Sequence, residues 1–159
     1  MNLPDIARHA GFFAAHAVWC VSDGETLIPM LVHPGEDGKA AMTRLVSDDS
    51  RKAVADAKAR LQQHASAHGV AVLLYDTFVT LGSWRTDAIL IEAIAGQSRL
   101  VMAVPYRNAK SDQGFAVYRP KFVECPAEEA QHAGQSFFEG VESHEKGSAV
   151  WTKFIDQSR

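Results

Sequence analysis

Asp76 and Glu92 are the acidic residues whose setting points most directly to acid–base chemistry in this chain of 159 residues. Each lies in an apolar run rich in β-branched and aromatic residues, residues 70–81 and 87–95, and the turn-rich separator Gly82-Ser83-Trp84 makes the two runs a hairpin. A turn centred on Trp84 sets Leu81 opposite Asp87 and Asp76 opposite Glu92. Directly opposed side chains have Cβ atoms about 5 Å apart, where two carboxylates repel unless a cation, water or a shared proton intervenes. Such a pair divides acid and base roles when its surroundings separate the two pKa values. The same residues have a plainer reading, in which another turn centre offsets the pair or both acids face water.

A second group is basic. Residues 85–121 hold six Lys and Arg against three Asp and Glu, whereas the rest of the chain holds ten against sixteen. Within this stretch Tyr106-Arg107, Tyr118-Arg119 and Lys121-Phe122 put rings beside cationic donors, the ingredients for gripping a phosphorylated or otherwise anionic ligand. An ordinary solvated sheet rim has the same composition. Overall the net charge is -3, so nothing draws the whole chain to nucleic acid or anionic lipid, and nucleic acid is not an expected partner.

The remaining motifs are weaker. His64 and His68 have the i,i+4 spacing that puts two imidazoles on one helical face, but two ligands do not make a metal site and a third must come from elsewhere. Glu129 and His132 have the ExxH spacing of carboxylate metal sites, without the second copy and helical bundle such sites need. Glu92 is followed by Ala93 and Ile94, so the lysine of the PD-(D/E)xK nuclease pattern is missing. Cys20 and Cys125 lack CxxC spacing and read as small apolar strand residues. Glycine-rich phosphate loops and the GxSxG nucleophile turn are absent. No metal and no cofactor are expected.

The elements that must position these residues follow from punctuation and periodicity. Pro4 and Asp5 open a helix. Residues 17–21 then read as a strand, followed by an Asp23-Gly24 turn, a second strand, a turn over residues 34–38 and a third strand. Asp48, Asp49 and Ser50 precede the strongest helix, which ends where Gly69 offers a left-handed cap. Residues 70–81, 87–95, 99–107 and 115–125 form an antiparallel meander, in which Pro105 and Pro120 demand an edge, a bulge or a strand end. Helices follow Pro126 and Gly147.

These elements make one α+β domain spanning residues 1–159: an antiparallel meander sheet covered mainly by the helix at residues 50–68 and by the C-terminal helices. A hydrophobic fraction of 47% rules out a disordered chain. The order of elements resembles that of profilin-like and roadblock-like sandwiches, a likeness of scaffold that transfers no function. The leading expectation is a cytoplasmic, non-enzymatic binding or protein-interaction module with no membrane span, self-associating or taking a protein partner or a small anionic ligand through Tyr106, Arg107, Tyr118, Arg119 and Lys121. The competing expectation is a small enzyme that uses Asp76 and Glu92, with Arg119 orienting an anionic substrate.

Overall fold

The first helix, α1 (Leu3–Val21), owes its start to a reciprocal cap: the Asn2 side chain accepts the Asp5 N–H at 2.9 Å, and the Asp5 carboxylate accepts the Asn2 N–H at 3.4 Å. Its buried residues, among them Ile6, Ala7, Ala10, Gly11, Ala14, Ala17, Val18 and Val21, repeat with helical period on a broad stripe. The alanine-rich run carries the helix through residues 17–21, which are therefore not the strand that their apolar character suggests, and Cys20 is a helical residue. A short apolar run fits either structure, and here burial on two sides favours the helix.

The computed structural model describes residues 2–159. After α1 come β1 (Met30–Pro34), β2 (Ala40–Arg44), α2 (Ser50–His68), β3 (Val70–Leu81), β4 (Trp84–Ala95), β5 (Ser98–Arg107), β6 (Ala116–Tyr118), β7 (Lys121–Glu124), α3 (Ala130–Ser143), α4 (Glu145–Phe154) and β8 (Ile155–Asp156). Both expected caps of α2 form: Asp49 accepts the Arg51 and Lys52 N–H groups, and Gly69 closes the helix at φ 76°. Pro120 divides the last expected strand into β6 and β7, which lie one after the other along β5, and Pro105 falls between the two paired stretches.

The fold is α+β. One sheet runs in the order β2-β1-β3-β4-β5-β6-β8, with β7 also on β5, and its pairs are antiparallel except that β8 lies parallel to β6. On one face Val32, Val72, Leu74, Ile89, Ile91, Met102 and Val104 pack beneath α1 in the larger core. On the other face Leu31, Ala71, Leu73 and Tyr75 pack beneath Ala57 and Leu61 of α2 in a smaller one. The C-terminal helices, expected to lie on the sheet, meet it chiefly where α4 touches β6. They stack on the outer side of α1, where Gly11 and Gly140 let the backbones of α1 and α3 touch.

Among the described residues, no helix is long and apolar enough to cross a membrane.

Candidate functional site

The β3–β4 turn decides what the acidic residues can do. Gly82 takes φ +66° and the strands close through Gly82-Ser83, so Leu81 faces Trp84. A glycine at the first central position suits a two-residue turn whose twist matches the strands. The centre expected at Trp84 is thus displaced. Asp76 faces Ile89, and Glu92 faces Leu73. Because side chains alternate and the displacement is odd, the two acids project from opposite faces, and the Asp76–Glu92 pair is not formed.

Each acid has its own partners. Glu92 lies on the α2 face, 7% exposed, and accepts the Arg99 Nη2–H at 2.6 Å, while Arg99 Nε lies 3.3 Å from Glu124 Oε2. Burial, and then the Glu92 carboxylate beside it, push the Tyr75 hydroxyl up to about 12. The pair is buried at the carboxylate and 39% exposed at the arginine side chain, and Glu92 faces Leu73, which packs beneath α2.

Asp76 lies on the α1 face. Its two oxygens accept the Tyr106 hydroxyl at 2.6 and 2.7 Å, and the Leu27 N–H reaches it at 3.4 Å. Burial raises the Asp76 pKa, the Tyr106 and Leu27 hydrogen bonds oppose that rise, and nearby Asp87 adds to it. Tyr106 is itself held protonated, by burial first and then by its bond to Asp76. Asp87, level with Tyr106 across β4 and β5, is also raised by burial. The acid that neighbours Asp76 is therefore Asp87, not Glu92.

Asp87 and Tyr106 belong to an open groove of about 440 Å³ at this end of the sheet, with Phe78, Trp84, Arg85, Arg107, Ser111 and Tyr118 also on its walls. Trp84 meets Tyr118 edge-on at 5.0 Å, the Arg159 guanidinium stands 4.6 Å over Trp84, and Arg85 stands 5.1 Å over the exposed ring of Phe78. Of the five expected ligand-binding residues, Tyr106, Arg107 and Tyr118 converge here. Arg107 spends three donors on its own loop, bonding Gly114 O at 2.8 Å, Gln113 Oε1 at 3.1 Å and Gln113 O at 3.2 Å. It shapes the groove and still has N–H groups to offer. Arg119 bonds the Arg159 carbonyl at 3.2 Å, and Lys121 lies in β7 opposite Ala103; neither lines the groove. Trp84 and Phe78 join the groove without having been expected there, and Arg85, expected only as part of the basic stretch, stands beside them. Their signal was the Phe78 ring before a tight turn and the adjacent ring and cation of Trp84-Arg85 after it.

Two histidine groups complete the polar features. His64 and His68 on α2 are joined by His33 from β1. His16 of α1 meets His144, whose Nδ1 caps α4 by accepting the Gly147 N–H. Glu129 and His132 acquire no such company: among the described residues, the only group able to offer three ligand atoms to a metal is the His33 cluster.

No protein-family model, curated protein or solved structure matches the chain.

Proposed function

We propose that the protein is a non-enzymatic cytoplasmic binding module for a small anionic ligand carrying a flat ring, seated in the groove at the β3–β4 turn. The observation that carries this reading is the meeting of Trp84, Phe78 and Tyr118 with Arg85 and Arg107 around one open concavity. Rings give a planar ligand a stacking surface without demanding one particular shape. Guanidinium groups supply forked donors for a phosphate or carboxylate. Asp87, on the same wall, accepts a donor from the ligand's ring edge. Free Cys20 and Cys125 suit a reducing compartment.

The test is titration of the protein with nucleoside monophosphates, with inorganic phosphate as the control, followed by thermal shift and by the fluorescence difference between the parent and Trp84→Phe. The expected result is binding by a ring-bearing phosphate. Trp84→Ala is expected to weaken it by about 10- to 100-fold, as loss of one stacking partner does. Absence of binding across the panel, or binding indifferent to Trp84→Ala and Arg85→Gln, overturns the reading.

Asp87 favours a second reading. A carboxyl group raised by burial, on a groove wall and next to a second raised carboxyl, has the makings of a general acid. In this form the enzymatic alternative uses Asp87 with Asp76 and not Glu92. It predicts that any turnover of a groove ligand disappears in Asp87→Asn while binding persists.

A further inference from the structure

We infer that His33, His64 and His68 form a binding site for a divalent first-row transition ion, held by three imidazole nitrogens with the remaining position open to water. The site lies away from the proposed ligand groove, toward the start of β3 instead of its end, and does not depend on that reading.

Two elements build it. On α2, Ala57 and Leu61 sit on the sheet, and His64 and His68 continue along the helix one turn apart. On β1, Leu31 points into the same small core, so His33, two residues later, projects from the same face toward the helix. The outcome is a nitrogen from each ring with all three within 4.8 Å of one another. Helix spacing supplies two ligands, and the third arrives only because β1 passes beneath the end of α2.

The donor set suits a metal. His33 Nδ1 lies 2.9 Å from the Pro34 carbonyl oxygen. A carbonyl only accepts, so Nδ1 is the donor and Nε2 is the nitrogen left to bind an ion, the orienting arrangement that accompanies metal-bound histidine. Three imidazole nitrogens and no carboxylate select Zn²⁺, Ni²⁺ or Cu²⁺ over Mg²⁺ and Ca²⁺, which prefer oxygen.

The rings now stack, His33 on His64 at 4.0 Å between centroids and 16° between planes, with His68 within 20° of parallel to both. Tetrahedral zinc needs nitrogens about 3.4 Å apart, from bond lengths of about 2.0–2.1 Å. The present separations, none above 4.8 Å, therefore close by at most about 1.4 Å. Rotation about the soft terminal torsion of histidine accomplishes this without backbone movement, because none of the three rings is fully buried.

The experiment is calorimetric titration of the untagged full chain with Zn²⁺ at neutral pH, with Mg²⁺ as the control, repeated on His33→Gln and His64→Gln and on the surface variant His132→Gln. One Zn²⁺ per chain is expected, no response to Mg²⁺, and a loss of affinity of at least about 100-fold in each cluster variant. His132→Gln is expected to bind as the parent does. Circular dichroism melts of the variants without metal verify folding, and visible absorption of the Co²⁺ form reports tetrahedral coordination in the parent alone. The inference is overturned if His33→Gln folds and binds zinc as tightly as the parent, or if the parent binds less than one ion per chain. Trp84→Ala is expected to leave zinc binding intact, which separates failure here from failure of the groove reading.

Discussion

Replacing Gly11 by alanine sets two effects of known size against each other. Alanine in a helix interior is favoured over glycine by about 1 kcal/mol, so propensity alone predicts a more stable protein. Packing predicts the reverse. A Cβ at Gly11 falls 1.8 Å from the Phe137 carbonyl oxygen, and one at Gly140 falls 1.9 Å from that of Arg8. Real Cβ contacts essentially never come below 3.0 Å, so the backbones of α1 and α3 must part by about 1.2 Å, and no flexible side chain is there to yield instead. A gap of that size forfeits roughly half of the dispersion attraction at each atom pair along the seam. Overpacking of this kind costs about 1–3 kcal/mol or more, and with rigid backbone on both sides we place the net loss near 2 kcal/mol after the propensity gain. Gly134, also in α3, is the internal control, because its Cβ would meet only Phe122 at an ordinary 3.6 Å. Gly134→Ala is expected to stabilise by about 0.5–1 kcal/mol. Urea unfolding reads both as shifts of the midpoint at unchanged slope. In the double variant Gly11→Ala/Gly140→Ala the second substitution should cost less than the first, since the seam has already opened. A Gly11→Ala protein as stable as the parent would refute the backbone contact between these helices.

Two further expectations concern stability. The Gly147 N–H donates to His144 Nδ1, so His144 donates through Nε2 to His16 Nδ1 at 3.2 Å, an arrangement that requires a neutral His16. Burial first, then His144 and Arg44, lower the His16 pKa below 6.5. The unfolded chain therefore takes up this proton before the folded one does, and the contribution, complete above about pH 6.5, is lost as pH falls through the folded pKa. Thermal melts at pH 7.5 and 5.5 should show that loss, and His144→Asn, which keeps a capping side chain but removes the ring pair, should shrink it. For the Glu92–Arg99 ion pair, Arg99→Met leaves the carboxylate buried without its cation. Because Arg99 is 39% exposed, the cost should be about 2 kcal/mol, below that of a fully buried pair. Glu92→Leu/Arg99→Met should recover most of it, and equal losses in single and double variants would contradict the assignment.

Local chemistry fixed much of this molecule. Asp49 and Gly69 delimit α2 because one offers a carboxylate to free N–H groups and the other adopts φ 76°, and neither property depends on distant parts of the chain. Strand β3 runs from Val70 to Leu81, where the β-branched and aromatic residues suit a pleated, half-buried surface. Residues 17–21 were ambiguous because five apolar residues suit a buried helix as well as a strand. What settles them is the layer of α3 and α4 on the far side of α1, a fact of assembly.

Register and convergence belong to the tertiary structure. The Gly-Ser pair did mark the β3–β4 turn, yet moving its centre from Trp84 to between residues 82 and 83 was enough to send Glu92 to the opposite face from Asp76. A two-residue alternation makes every small displacement of odd size a change of face, which is why a pattern so plain in composition says so little about partners. Likewise the i,i+4 histidines were visible as a pair, whereas His33 lies far away in the chain and joins them only when α2 settles on β1. Spacing along one element follows from covalent geometry. Meetings between elements follow from how their apolar faces are buried, and that depends on the whole fold.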